Sequence, residues 1–376
     1  MDRCIGIING GQNGESFGGL CQHRQSYMLP FGGRYRLVDF TISNMVNHGI
    51  KSVAIYTGEK MRSTMDHIGN GHPWDLNRRF NGLFLFPPIF DNDYGLKRGD
   101  VHQFHSTEPF YKHSKEKYVL VCNPKIIGKI NLEEAFEHFL ETDADFTLFY
   151  KSQKDPEGDF IYNDNLILDD EGGLESIGLN LGTEPEFNLF LEMAFIKKEV
   201  FLNIIRESIE GGNIKSLRDG MLKNKDKYKI NTYEFQGHVE DIRDLKSYYD
   251  ANMNLLDEKI ANELFYERGL ILTKSKDEPS TAYIGDSNVK NSIIANGCII
   301  EGDVQNSILF RGVKIGKGAI VKNSIVMQKS EIQDNAIVVN TVLDKYTCVE
   351  DGARIAGSTS LPYVVKKNHN IKREEY

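Results

Sequence analysis

The sequence is short of cysteine, of long apolar runs and of positive charge. Its five cysteines, Cys4, Cys21, Cys122, Cys298 and Cys348, are scattered, odd in number and free of CxxC spacing. That pattern argues against a disulfide framework and against a zinc site. No apolar run approaches the roughly 20 residues that a membrane span needs, and Asp2 and Arg3 lead straight into a strand too short for a secretory core. The formal charge of −9 speaks against a nucleic-acid or anionic-membrane surface, but a small phosphorylated ligand needs only a local cationic pocket. With 40% hydrophobic and 26% charged residues over 376 positions, the expectation is a soluble, cytoplasmic chain with room for two domains.

What is present begins at residues 1–44. An apolar run, Cys4 to Ile8, breaks into a loop with glycines at 10, 11, 14, 18, 19, 32 and 33, and a helical pattern resumes at Arg36. Strand, glycine loop and helix is the layout of a phosphate-binding site. Gly10, Gly11 and Gly14 would let backbone N–H groups approach an anion, and a helix beginning near Asp39 would add a favourable dipole. In a chain with 34 glycines this loop alone is a weak signal.

The helix from Phe40 to Asn47 and the strand Ser52 to Tyr56 complete a βαβ unit. A buried strand follows at Tyr118 to Cys122, then a helix from Leu132 to Leu140 and a strand from Phe146 to Tyr150. Asn165 to Gly178 reads as a hairpin turning at Asp169–Gly173, and further strands fall at Asn188 to Ile196 and Tyr228 to Phe235. Asp100 and His102 read as solvated loop residues, because nothing in the sequence positions a partner for either.

The last third changes character. Val289-Lys290-Asn291-Ser292-Ile293 returns as Val304-Gln305-Asn306-Ser307-Ile308, as Val321-Lys322-Asn323-Ser324-Ile325 and as Val338-Val339-Asn340-Thr341-Val342, at intervals of 15, 17 and 17 residues. Apolar residues step by six between them, at Leu309, Ile315, Val321 and Met327. Coils of about three hexads that stack their apolar faces make a parallel β-helix, whereas an antiparallel sandwich predicts no repeated word. The expected organisation is an α/β domain over 1–255, a helix and charged linker over 256–280, and a β-helix with a tail over 281–376.

Several of these words resemble the sugar-nucleotide pyrophosphorylases, and most closely the ADP-glucose pyrophosphorylases. They are Gly10-Gly11 after the strand, Pro30-Phe31-Gly32-Gly33-Arg34-Tyr35-Arg36 before Asp39-Phe40, and His67-Ile68-Gly69-Asn70-Gly71-His72-Pro73-Trp74-Asp75-Leu76. The last string, with the only tryptophan, is the most family-specific. The resemblance implies a Rossmann-like nucleotidyltransferase domain with a mixed or parallel sheet, followed by a left-handed β-helix. The family joins ATP and glucose 1-phosphate to give ADP-glucose and pyrophosphate, with Mg²⁺.

The same alignment finds the charges of that chemistry replaced. Counting back from Pro30, Leu20 and Arg24 stay in register, but Ser16 stands at the family's arginine and Ser26 at its lysine. Both cations neutralise charge on the departing pyrophosphate, and Glu15 beside Ser16 would repel it. Of the turn that reads the nucleobase, within 95–107, only Gly99 survives. The first Mg²⁺ aspartate falls on Lys125, aligned through Lys129 and Asn131, and an ammonium there opposes a hard cation. The lysine that holds the sugar phosphate falls on Asn180. Asp241 keeps the second metal carboxylate, with Arg243-Asp244 in place of Gly-Thr, and it is as well placed to pair with Arg243 or to cap the next helix.

The resemblance therefore implies the non-catalytic, GlgD-type branch. Gly10, Gly11, Gly14, Gly99 and Trp74 would be the remnant of a nucleotide pocket. No intact metal site and no tightly held cofactor is expected. The implied partner is a catalytic ADP-glucose pyrophosphorylase subunit in a mixed oligomer, as a tetramer. Arg34, directly after Gly33, is the candidate for a phosphorylated sugar or nucleotide effector, with a structural ion pair as its alternative. No histidine lies between 281 and 360, so the catalytic histidine of hexapeptide acyltransferases is missing and the β-helix reads as a platform for oligomerisation and regulation. Two other readings stay open: a weak adenylyltransferase, and a module that only binds a sugar phosphate or nucleotide.

Overall fold

A computed structural model describes residues 1–11, 14–89, 99–170 and 172–373. Gly95, Leu96, Lys97 and Arg98 of the base-reading turn, and Glu171 of the hairpin turn, lie outside the described residues. The chain groups by contact into two compact units, Met1–Gly11 with Thr41–Glu59 and Gly69–Gly237, and Gln12–Phe40 with Lys60–Ile68 and His238–Tyr376. Among the described residues no helix is long and apolar enough to cross a membrane.

The first unit is a mixed sheet with helices. Its strands are β1 (Cys4–Asn9), β2 (Ser52–Tyr56), β3 (Gly82–Phe86), β4 (Tyr118–Cys122), β5 (Phe146–Lys154), β6 (Asp164–Leu168), β7 (Leu174–Leu179), β8 (Glu186–Lys197) and β9 (Ile230–Glu234). The order is β7-β6-β8-β4-β1-β2-β3, with β5 also on β8 and β9 on β5. Strands β4, β1, β2 and β3 run parallel, as the near-continuous apolar runs Cys4-Ile5-Gly6-Ile7-Ile8 and Val119-Leu120-Val121-Cys122 require of strands covered on both faces. Strand β8 runs antiparallel to β4 and β5, and the hairpin of β6 and β7 attaches beyond it. Helices α1 (Leu37–Asn47), α2 (Asp100–Ser106), α3 (Leu132–Glu141) and α4 (Lys198–Gly211) connect them. The core joins Ile5, Ile7, Ala54 and Val121 of the sheet to Phe104 of α2 and Phe201 of α4.

In the second unit the repeated word becomes a left-handed parallel β-helix of three sheets. Val289, Val304, Val321, Val338 and Ile355 pair in register, one per coil, so the 15- and 17-residue intervals of the sequence are the coil lengths. The asparagine of each word turns the corner. Asn291, Asn306, Asn323 and Asn340 have φ between 42° and 48°, the left-handed region that asparagine tolerates better than other side chains. Their amides also hydrogen-bond along the stack, Asn291 to Asn306 at 2.9 Å and Asn323 to Asn340 at 3.1 Å. The next position supplies a hydroxyl ladder, because Ser292, Ser307 and Ser324 each accept the backbone N–H of the following coil at 3.1–3.2 Å. Replacing Asn323 by Ala is expected to cost about 1–2 kcal/mol, from the left-handed backbone alone, and replacement by Gly less; urea unfolding of the two variants checks the order.

The same unit explains two words of the amino-terminal motif. Pro30–Phe31 and Tyr35–Arg36 pair as a small hairpin, turned by Gly32 and Gly33 at φ 57° and 77°. A Cβ on Gly32 would lie 2.9 Å from the Phe265 ring. Helix α5 (Leu245–Asn254) holds this hairpin through two residues one turn apart: Tyr248 donates to the Pro30 carbonyl at 2.5 Å, and the Asn252 side chain accepts the Gly32 N–H at 3.1 Å. Helix α6 (Glu258–Tyr266) follows, its Phe265 stacking on Tyr35 with ring centroids 5.2 Å apart. Arg34 is thereby presented at the tip of a braced turn.

Candidate functional site

At the carboxyl ends of β1 and β4, Asn9, Asp100, Asn123, Glu192 and Arg218 help line a cavity of about 70 Å³ in the first unit. Most of its polar groups are engaged by neighbouring residues. Lys125 lies 2.6 Å from Glu192, with only 17% and 26% of the two side chains exposed, and Asn123 donates to the other Glu192 oxygen at 2.7 Å. Glu192 sits at φ 46° where β8 shifts register between Phe190 and Ala194, a bulge of the kind that aims a side chain into a site. Arg218 holds Asp164 at 2.7 Å. Among the described residues, Lys125 and Arg218 beside this cavity are thus each matched to a carboxylate.

Asp100 departs from the sequence expectation. It opens helix α2, and its carboxylate accepts from the Asn9 side chain at 2.8 Å and the Leu217 N–H at 2.9 Å. It is no solvated loop residue, because Asn9 and Leu217, remote in sequence, fold against it. Burial pushes its carboxyl up to about 6, against the lowering effect of the hydrogen bonds. Since this lies above the ordinary aspartate value, the stability Asp100 contributes is present below the unfolded value and is lost as pH rises through about 6. A carboxyl midpoint near 6 is expected by NMR titration, absent from Asp100→Asn. Gly99, just before it, is required by close approach, since a Cβ there would fall 1.9 Å from the Lys215 carbonyl oxygen.

The other aligned positions carry structural bonds. Asn180 is buried, donates to Asp155 and the Phe160 carbonyl at 3.1 and 3.0 Å, and accepts the Gly182 N–H at 3.0 Å. The N–H of Gly10 donates to the Tyr56 carbonyl at 3.0 Å, and Trp74 is buried in the turn His72–Trp74. In the second unit Ser16 donates to the Arg243 carbonyl at 2.7 Å, Gly14 packs on Cys21, and Ser26 is buried in a short turn. The start of α1 is also occupied, because the buried Asp39 carboxylate accepts the Arg36 N–H at 2.9 Å and contacts His67 and Thr273 at 2.6 Å each. The anion expected at this helix is therefore replaced by the chain's own side chain. Asp241 is buried with Arg243 at 3.6 Å, while Asp244, not Asp241, caps α5 through a capping box with Ser247. Taken each by itself, neither position suits Mg²⁺: Lys125, which the resemblance sets at one ligand, brings an ammonium, and the Asp241 carboxylate is neutralised by a guanidinium. Among the described residues no three acidic, histidine or cysteine side chains group as metal ligands.

The second unit holds a site of the opposite character. A cavity of about 230 Å³ is lined by Arg34, Arg36, Lys274, Lys276, Arg311, Lys329 and Lys345, with Asp66 and Glu278 as its carboxylates. Lys274 donates to the Asp66 carbonyl at 2.6 Å, and Arg36 donates to the Met28 carbonyl at 2.5 Å, so neither bond neutralises charge. Arg311 is pushed below the usual guanidinium value, first by burial and then by Arg34. Lys345 is pushed down to about 6 by burial, with Arg36, Arg24 and Lys276 acting in the same direction. Its neighbour Asp344 is committed elsewhere, to Arg24 at 2.8 Å and to the Lys345 N–H at 2.7 Å. Mutually repelling, partly buried cations of this kind stabilise a bound polyanion. A second cavity of about 340 Å³ shares Arg34, Lys276 and Arg311 with it and adds apolar walls from Leu255, Phe265 and Ile293.

Comparison with known proteins matches residues 5–159 to the Nucleotidyl transferase family and residues 281–360 to the GlmU-like, C-terminal hexapeptide family. The glycogen biosynthesis protein GlgD of Bacillus subtilis (strain 168) is 31% identical over 322 residues, covering 85% of this chain and 83% of its own. GlgD of Geobacillus stearothermophilus is 34% identical over 323 residues, with the same coverage. The chain belongs to the GlgD family of glycogen biosynthesis proteins. Glucose-1-phosphate adenylyltransferase of Geobacillus stearothermophilus is also similar, at 28% over 340 residues.

For this GlgD-family chain, the sequence singled out Arg34 as an effector candidate, and the structure sets it in the lining of the cationic cavity; the rest of the wall was missed. The missing signal was the coil length itself. Arg311, Gln328 and Lys345 are spaced by 17 residues, as are the words of the β-helix, and the backbone bonds Lys329 N–H to Arg311 and Tyr346 N–H to Gln328 stack their turns at 3.0 and 3.1 Å. A repeat that fixes the apolar core also aligns the polar positions beside it.

Proposed function

We propose that this chain is a regulatory subunit, catalytically weak or inactive, of a glucose-1-phosphate adenylyltransferase assembly in glycogen biosynthesis. It modulates a catalytic sister subunit in a mixed oligomer, expected to be a tetramer, and binds a phosphorylated sugar or nucleotide as effector. The observation that carries this reading is the contrast between two sites. The positions aligned with the family's chemistry are committed to structural bonds, while the cationic cavity of the second unit is built from charges that its own carboxylates do not match. Similarity to both GlgD proteins and adenylyltransferases supports the pairing with a catalytic partner.

Binding at the cavity favours the partner's active state by differential affinity, an effect commonly worth about 1–3 kcal/mol. The test compares ADP-glucose formation by this chain alone, by a catalytic family member alone and by the two co-expressed. Silence alone, with a raised rate or a changed effector response in the mixture, is the expected outcome. Robust metal-dependent turnover by the isolated chain contradicts it. Arg34→Ala is expected to weaken the effector response of the mixture by roughly 10-fold, the worth of one charge-assisted contact; an unchanged response removes Arg34 from the site.

A further inference from the structure

The cationic cavity contains a lysine whose surroundings do not suit an ammonium. Lys345 follows Asp344 at a corner of the β-helix, and both are drawn into the unit, Asp344 to 1% exposure. The carboxylate that could serve Lys345 is held by Arg24 at 2.8 Å. The other cationic groups come from four elements: Arg24, Arg34 and Arg36 from the segment before α1, His67 from the helix Met61–Ile68, Lys274 and Lys276 from the linker, and Arg311 and Lys329 from neighbouring coils. The cavity's own carboxylates, Asp66 and Glu278, are outnumbered. His67 is engaged by Asp39 at 2.6 Å, and burial pushes its imidazole below the usual value.

We infer that the cavity takes up its anion together with a proton from solvent, which converts the Lys345 amine to the ammonium, so that occupancy depends on pH as well as on anion concentration. The inference rests on the reading of this cavity as the effector site. With the cavity empty, burial and the surrounding guanidinium and ammonium groups keep Lys345 deprotonated in the neutral range. A dianion reverses that field: it offsets the neighbouring cations and supplies the acceptor that Asp344 cannot, raising the amine's proton affinity. Linkage then requires anion binding to draw a proton, and affinity to fall as pH rises between the free and bound values of the lysine. The assembly's effector site is thereby a coincidence detector, filled when anion is abundant and pH is low.

Sulfate is a suitable probe because it remains a dianion throughout the neutral range and contributes no titration of its own. Calorimetry of the full-length chain with sulfate, in two buffers of different ionisation enthalpy at pH 7.5, is expected to show net proton uptake, with affinity falling by up to about 10-fold per pH unit above 6. Lys345→Arg, permanently charged, and Lys345→Met, permanently neutral, are each expected to remove the uptake, the methionine variant binding more weakly. Circular dichroism checks that at least one of them is folded. Sulfate binding with no difference between buffers, or uptake that persists in either folded variant, overturns the role of Lys345 and leaves the effector site standing. Absence of sulfate binding overturns both.

Discussion

Replacing Arg24 by methionine is expected to destabilise the chain by about 3–5 kcal/mol, a large part of the stability of an ordinary domain. The guanidinium and the Asp344 carboxylate are 4% and 2% exposed and 2.8 Å apart, and Arg24 also donates to the Leu20 carbonyl at 3.0 Å. Removing the cation leaves a buried carboxylate with one backbone N–H, that of Lys345, and the cost of that uncompensated charge exceeds the loss of the contact itself. The double variant Arg24→Met, Asp344→Leu is expected to recover much of the loss, because no charge is then stranded. Chemical denaturation of the wild type, both single variants and the double variant gives the coupling energy. A single-variant cost below 1 kcal/mol would mean that the pair is not the clamp its burial implies. Arg24 is the arginine that stayed in register with the resembled family, and in this chain its side chain serves the fold.

The second large effect concerns rate. ADP-glucose formation by the isolated chain is expected to lie at least about 10⁴-fold below that of a catalytic family member. One lost electrostatic contact to the reacting charge typically costs 10²–10³-fold, and such losses do not add fully. The resemblance implies three such losses. Ser16 is spent on the Arg243 carbonyl, Ser26 is buried in a turn, and Lys125 is held by Glu192. Added Mg²⁺ is not expected to restore turnover, since the resemblance sets Lys125 at a ligand position and Arg243 pairs with Asp241. Assay of the purified chain across Mg²⁺ concentrations checks both statements, with a catalytic relative as reference.

Much of this was legible in the sequence, for different reasons in the two units. The β-helix could be read because its repeat is local and periodic, and the positions Val289, Val304 and Val321 pair as the intervals required. Strands Ser52–Tyr56 and Tyr118–Cys122 have the expected ends, since buried parallel strands are written as continuous apolar runs. Asp100 was misread because its partners lie 91 and 117 residues away and neither bears a charge that would draw notice. The rest of the cationic wall was missed because Lys276, Arg311 and Lys345 are individually ordinary surface types. Only the hairpin held by Tyr248 and Asn252, together with the stacking of coils, gathers them into one cavity.

The central claim, that an anion bound at this cavity controls a partner's catalysis, is tested most directly in the mixed assembly. The rate of ADP-glucose formation is measured with and without a phosphorylated effector, for a catalytic subunit assembled with the wild-type chain and with Arg34→Ala, Arg311→Ala. The account predicts effector-dependent activation with the wild type, and its loss in the variant assembly without loss of assembly by size-exclusion chromatography. An equal effector response from both assemblies would contradict it.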